Sequence, residues 1–312
     1  MDSSIQNSSA YRAARNQVAV RRRDERGTLR VTGADRIGWL NGLLTNDIKA
    51  LEGGGACAAA WLTPQGRMIA DPFVVETGEL TLLDVPGPLA ADLAGRLDGL
   101  IFTEDVRVED VSADVLSIEL VGPESRPVWE TVQQSAAAPL ALRDVDRPRP
   151  GIVVYILRAH LAGTLEALAH AGATPLDDAT AEVLRVEAGV PRFSVDIGED
   201  TIPLEAGLDH VLSHTKGCYV GQEIIVRIRD RAHGRVARHL VGLRPESDAV
   251  PAAGQPVLVD GRQVGTLTSA VHSHALGAPI ALATVHRDAA RPGTRVSLAD
   301  GTTAVVTALP FG

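Results

Sequence analysis

The sequence predicts an α+β fold that ends in a small β-barrel, and three observations carry that expectation. Apolar residues recur at helix and strand periods over the first two thirds of the chain, without the sustained βαβ rhythm of a doubly wound sheet. From about Arg238 the texture changes to short apolar runs divided by the turn pairs Asp260-Gly261 and Asp300-Gly301, with Pro251, Gly254, Pro256, Pro292 and Gly293 between them. The 312 residues are too many for one ordinary core. Three portions are expected: 1–110 and 111–237, both α+β, and a barrel of five or six strands over 238–312.

Taken in order, Met1 to Ala10 is polar, lacks an apolar signal core and reads as a frayed tail. Arg21-Arg22-Arg23 is followed by Asp24-Glu25 and reads as a largely self-compensated, solvated turn. Residues 28–32 form a short strand, and Asp35 caps a helix with Ile37, Leu40 and Leu44 on one face. Cys57 to Leu62 and Met68 to Val75 flank the hairpin-like turn Thr63-Pro64-Gln65-Gly66. Leu80 to Val85 is a strand, and Pro88 opens a helix with Leu89, Leu93 and Leu97. Val106 to Val111, Val115 to Val121 and Ile152 to Leu157 are strands, with helices around 124–136 and 160–171. Asp178 caps a helix that runs to Glu187-Ala188 and stops at Gly189, and Pro191 to Thr215 is a long irregular stretch of the kind that is usually functional.

Composition narrows the function classes. A net charge of −9 argues against general nucleic-acid binding, which leans on phosphate neutralisation. No apolar run approaches a membrane span, and two cysteines are too few for a disulfide framework. The compartment expected from these features is a reducing cytoplasm.

The most informative segment is Lys216-Gly217-Cys218-Tyr219-Val220-Gly221-Gln222-Glu223, placed just before the apolar run Ile224, Ile225, Val226 and Ile228. A cysteine at the first turn of a helix faces the positive end of the macrodipole, and a neighbouring ammonium adds a second charge that favours the thiolate. Lys49 and Lys216 are the only lysines among 30 basic residues, so a compact ammonium is specifically wanted at 216. The plain alternative is a buried cysteine in a tight loop-to-helix turn. Arg227, Arg229, Arg231, Arg235 and Arg238 follow; they are placed either to line an anionic pocket or to form an exposed helix face.

Other chemistry is thinner. His210, His214 and His233 are near Cys218 in sequence, but their spacing proves no contact. His272-Ser273-His274 offers two imidazoles on one face of a strand, too few for a zinc site. Gly53-Gly54-Gly55 lacks the lysine and helix start of a phosphate loop. Glu187, at a helix end beside the irregular stretch, is placed to accept hydrogen bonds from adjacent N–H groups of a heterocycle such as a pterin or purine edge; an exposed helix-end Glu is the alternative.

The segment from Lys216 to Glu223 resembles the signature of the YgfZ family, folate-binding proteins implicated in iron–sulfur cluster maturation and related to the aminomethyltransferase (T-protein) of the glycine cleavage system. Asp35-Arg36-Ile37-Gly38-Trp39-Leu40-Asn41-Gly42-Leu43-Leu44-Thr45-Asn46-Asp47 resembles the N-terminal helix motif of that superfamily, and Leu62-Thr63-Pro64-Gln65-Gly66-Arg67 its hairpin. Arg185-Val186-Glu187-Ala188-Gly189-Val190-Pro191 and Ile202-Pro203-Leu204-Glu205-Ala206-Gly207-Leu208 resemble its central motifs.

The resemblance implies a ring of two α+β portions and a C-terminal barrel around a folate-sized central hole. It implies tetrahydrofolate as cofactor, Glu187 against the pterin with Asp71 and Arg227 near the same ligand, and Cys218, Lys216 and Asp71 as the chemically active residues. Iron–sulfur scaffold or client proteins are the implied partners. T-proteins carry a paired-acid motif in the strand after the hairpin. The matching stretch here is Gly66-Arg67-Met68-Ile69-Ala70-Asp71-Pro72, so only Asp71 of the pair remains. T-proteins also lack a cysteine where Cys218 stands. Aminomethyl transfer to tetrahydrofolate is the alternative activity.

Overall fold

The computed structural model describes residues 3–133, 138–146, 149–231 and 234–311, and the α+β expectation holds throughout. The chain divides into two compact units: Met1–Pro64 with Ile69–Asp178 and His210–Gln222, and Gln65–Met68 with Ala179–Asp209 and Glu223–Gly312.

The first unit contains α1 (Ser3–Asn16), β1 (Ala19–Arg22), β2 (Arg26–Thr32), α2 (Arg36–Leu43), β3 (Gly55–Ala58) and β4 (Trp61–Leu62). It continues with β5 (Met68–Ala70), whose first residue belongs to the other unit, then β6 (Phe73–Glu76), β7 (Thr81–Pro86), α3 (Ala90–Asp98), β8 (Arg107–Asp110) and β9 (Val115–Val121). Then come α4 (Ser125–Val132), β10 (Ala141–Val145), β11 (Gly151–Leu157), α5 (Leu161–His170) and β12 (Thr174–Pro175). Two five-stranded sheets result, in the orders β3-β6-β7-β2-β8 and β10-β11-β9-β1-β12. α2 and α3 supply Leu40, Leu93 and Leu97 to the core over Leu29, Val31 and Leu83 of the first sheet. α4 and α5 supply Trp129 and Leu168 to the core over Ile118, Leu120 and Val154 of the second. Both assignments follow from apolar spacing at three and four residues in the helices.

Two expectations for the N-terminal region are corrected. Where a frayed tail was expected, α1 begins at Ser3, and its Ala10, Tyr11, Ala13 and Ala14 are buried. Its apolar face is mostly alanine, too small to stand out in a polar stretch. Arg21-Arg22-Arg23 is not a solvated turn. β1 pairs with β9 and β12, Arg21 Nε donates to Glu119 Oε2 at 2.7 Å, and Arg23 reaches Asp84. Only Arg22, paired with Asp24, fits the local compensation expected for all three, together with the Arg21–Glu25 half of its neighbour's pairing. Of the helix expected around 124–136, residues 134–136 lie outside the described part.

The second unit contains α6 (Asp178–Glu187), whose first residue belongs to the other unit, the bulk of α7 (Gln222–Val226), and the barrel strands β13 (Arg238–Pro245), β14 (Pro256–Val259), β15 (Arg262–Ser273), β16 (Ala278–His286), β17 (Arg295–Leu298) and β18 (Thr303–Thr307). The six strands close in the order β13-β16-β15-β14-β17-β18, with Gly242 of β13 opposite Thr307 of β18. Closure removes the free edges that short strands would otherwise expose. The interior is filled by Leu243, Val257, Leu267, Ala283 and Val285, none of them more than 0% exposed. Asp260 and Gly261, with φ of 50° and 75°, make the tight turn between β14 and β15 that this residue pair signals. No helix among the described residues is long and apolar enough to cross a membrane.

Candidate functional site

Glu187 ends α6, and the structure fixes it firmly. Gly189 follows in the left-handed region at φ 64°, where an added Cβ would stand 2.8 Å from the Leu309 side chain, so the helix stop admits only glycine without strain. Glu187 is 7% exposed, and its Oε1 accepts from Ser273 Oγ at 2.6 Å and from the Ala275 amide at 3.1 Å. Its carbonyl accepts from the Phe311 amide. Glu187 is therefore a buried, oriented carboxylate and not the exposed helix-end Glu of the plainer alternative. Ser273 lies between the two histidines singled out in the sequence, and it is Ser273 that turns inward, at 0% exposure. Upstream, Arg185 braces the end of α6 against Asp196 at 2.7 Å, Ser269 at 2.7 Å and the Val190 carbonyl at 2.6 Å.

Asp71 belongs to a second polar cluster, in the first unit. Arg26 clasps it from Nη1 at 3.1 and 3.3 Å while its Nε donates to Asp84 Oδ1 at 2.5 Å. Arg23 also donates to Asp84, Tyr155 Oη donates to it at 2.8 Å, and Arg143 Nε donates to Tyr155 Oη at 3.0 Å. Burial raises the Asp71 carboxyl above its ordinary value, with Arg26 pulling against it and Asp84 adding to it. The side chain of Asp71 keeps 25% of its exposure and Asp84 only 1%, so Asp71 is the member of this cluster that opens to solvent. Ala70, where the second acid of a pair would stand, is 1% exposed and packs in the apolar core. Sequence reasoning missed Asp84 and its three arginines. The signal was present as a single acid inside the mostly apolar run from Leu80 to Val85.

The segment around Cys218 departs from the expected arrangement. α7 begins only at Gln222, runs five residues, and passes into a π turn over Arg227–Arg231. Cys218 is exposed and lies ahead of that helix, not in its first turn. Lys216 does not spend its ammonium on the thiol. Its Nζ donates to the carbonyls of Asn41, Leu44 and Asn46 at 2.5, 2.6 and 2.8 Å. Burial brings that ammonium down to about 8, with Asp47 and Cys57 pulling it back up. Its charged form thus carries a burial cost at neutral pH that lapses as the pH rises from about 8 towards its ordinary 10.5.

Cys57, on β3, has its thiol pushed up to about 12 by burial, against the pull of Lys216. At neutral pH such a thiol is almost wholly protonated as well as partly buried, so alkylation is expected to label the exposed Cys218 first, by a wide margin. Peptide mapping after a short pulse of iodoacetamide checks this; comparable labelling of both cysteines would contradict it.

Arg227 is exposed and pairs with Glu223 at 2.6 Å, a surface pair of small energetic value. Arg229 pairs with Asp230, and Arg238 with Asp200 and Glu205. Arg238 stands on β13, outside the helical segment that carries Arg227 and Arg229, so the run is not one exposed helix face. His214 is exposed; the Arg231 side chain and His233 lie outside the described part. A cavity of about 840 Å³ opens at the start of α2, lined by Arg36, Trp39, Lys49, Glu52, Gly78 and Glu104 among others. Cys218, Lys216, Asp71, Glu187 and Arg227 do not line it, although the motif that begins at Asp35 does.

An α+β body followed by a closed six-stranded barrel, with a buried carboxylate at the end of α6, is the architecture set beside known proteins. Residues 4–145 match the GCVT N-terminal domain, and residues 238–311 match the glycine cleavage T-protein C-terminal barrel domain. An aminomethyltransferase of Streptomyces avermitilis is 30% identical over 294 residues, covering 86% of this chain and 78% of that protein. An aminomethyltransferase of Rippkaea orientalis is 28% identical over 311 residues, covering 91% and 82%. The crystal structure of glycine cleavage system aminomethyltransferase T from Bartonella henselae superposes with a TM-score of 0.85, at 18% identity, over 98% of this chain and 89% of that one. The chain belongs to the glycine cleavage T-protein family.

Proposed function

We propose that this protein binds tetrahydrofolate and works in one-carbon transfer of the aminomethyltransferase kind. The observation that carries the proposal is Glu187: in a chain similar to aminomethyltransferases along nearly its whole length, the carboxylate that the family resemblance assigns to the pterin is buried and held by Ser273 and Ala275. A rigid acceptor of this kind suits the adjacent N–H donors of a pterin. Tetrahydrofolate, when bound, supplies the amine nitrogens that take up a one-carbon unit. Under this reading Glu187 orients the pterin, and Asp71, held by Arg26, is the acid that the family resemblance assigns to the transfer step. Arg227, exposed and paired with Glu223, is free to exchange that partner for an anionic part of the ligand.

A second reading is that the protein assists iron–sulfur cluster assembly or repair, with Cys218 acting on sulfur, iron or a redox step for a scaffold or client protein. It is favoured by the exposed thiol in the Lys216–Glu223 segment and by Ala70, which removes one acid of the pair and is sealed in the core. One experiment separates the readings. Purified protein is given a lipoyl-borne aminomethyl donor and tetrahydrofolate, and ammonia release is followed. Under the first reading the wild type turns over and Asp71→Asn loses at least about tenfold in rate. No release from the wild type, together with loss of iron–sulfur enzyme activity in cells carrying only Cys218→Ser, would replace the first reading with the second.

A further inference from the structure

We propose that Lys216 is a positioning residue, a latch that fixes the exposed Gly217-Cys218 dipeptide to the turn after α2. The inference deepens the second reading, in which Cys218 does the chemistry, but its physical basis does not depend on that reading.

The geometry is that of an ammonium matched to its cage. A lysine head has three N–H donors arranged about one nitrogen. Three backbone carbonyls, of Asn41, Leu44 and Asn46, converge on it at 2.5 to 2.8 Å. These carbonyls lie at the end of α2 and in the turn beyond, where a helix leaves its last C=O groups without partners and favours a cation. Asn46 and Thr45 add further stitches to the same strap. Thr45 Oγ1 donates to the Val211 carbonyl at 2.6 Å, the Ser213 amide donates to the Thr45 carbonyl at 3.0 Å, and Asn46 Nδ2 donates to the His210 carbonyl at 3.3 Å.

On the other side of the cysteine, Tyr219 is 8% exposed, and its ring centroid lies 5.2 Å from the Lys216 nitrogen. The exposed dipeptide therefore hangs between two anchors that also touch each other. Gly217 has nothing within 4 Å of the place where a Cβ would be, so the exposed span is not itself wedged by packing. The anchoring must come from its ends. This also accounts for a lysine in a chain whose basic residues are otherwise almost all arginine. A planar guanidinium cannot send three donors to three carbonyls around one point.

The test attaches a nitroxide spin label to Cys218 in a Cys57→Ala background and reads its mobility by electron paramagnetic resonance. With Lys216 present the spectrum is expected to keep a slow, immobilised component. Lys216→Met and Lys216→Arg should both lose it, while their thermal melts stay close to the parent, because the ammonium is costly to bury. In Lys216→Ala, added methylammonium should restore the slow component and guanidinium should not, a response that simple loss of packing would not give. Should the Met variant fail to fold, the Ala variant with and without methylammonium decides alone. A label equally mobile in the parent and the variants, or rescue by guanidinium as readily as by methylammonium, overturns the latch. If the latch is seen but cells with Cys218→Ser keep full iron–sulfur enzyme activity, the latch is supported and the second functional reading falls.

Discussion

Replacing Asp84 by Asn is expected to destabilise the first unit by about 3–5 kcal/mol, the usual cost of breaking a buried ion pair from one side. Asp84 is 0% exposed, and Arg23, Arg26 and Arg143 all face it, with Tyr155 donating to the same oxygen as Arg23. Asparagine keeps the shape and leaves guanidinium charge buried without its counter-charge. The pH dependence has a definite sign. Burial alone would raise the Asp84 carboxyl, but the three arginines outweigh it and hold it well below the usual carboxylate range. A group depressed in the folded state contributes stability that is fully present above its unfolded value of about 3.9 and is lost as the pH falls below it. The advantage of the wild type over Asp84→Asn should therefore begin to narrow on acidification below about pH 4. Denaturant titrations of both proteins at neutral pH and near pH 3 would check this. Equal stability at neutral pH would mean that the arginines are satisfied without Asp84.

What the sequence disclosed and what it withheld follow from the range of the interactions. The barrel was legible because turns such as Asp260-Gly261 are written in adjacent residues, and its closure needs only short strands. Glu187 was legible because a glycine stop and an irregular stretch follow it directly. Its partner Ser273 was not, since 86 residues separate them, and the flanking histidines drew attention to the wrong face of the strand. Arg21 and Arg23 looked compensated by their neighbours because Glu119 and Asp84 are 98 and 61 residues away. The Lys216 ammonium was read as an influence on the cysteine two residues on, whereas its acceptors are at least 170 residues back. In each case the residue was noticed and the partner was misjudged, because proximity in sequence was the only proximity available.

Glu187→Gln is expected to weaken tetrahydrofolate binding ten- to a hundredfold, about 1.5–3 kcal/mol, by replacing a charged acceptor with a neutral one. Gln is the informative substitution. Its carbonyl oxygen can still accept from Ser273 Oγ and from the Ala275 amide, which Glu187 Oε1 holds at 2.6 and 3.1 Å, so the end of α6 should stay in place. Glu187→Ala would strip both donors of their acceptor and add a folding cost of about 1–3 kcal/mol that could be mistaken for a binding effect. Ser273→Ala provides the intermediate case. It leaves the charge but removes one of the bonds that aim the carboxylate, and a smaller loss of affinity should follow. Calorimetric titration with tetrahydrofolate, paired with a thermal melt of each variant, separates the effects: Gln should lose affinity with little change in melting, Ala should lose both. Unchanged affinity in Glu187→Gln would take Glu187 out of the pterin site, and would leave its bonds to Ser273 and Ala275 as structural ties between α6 and the barrel.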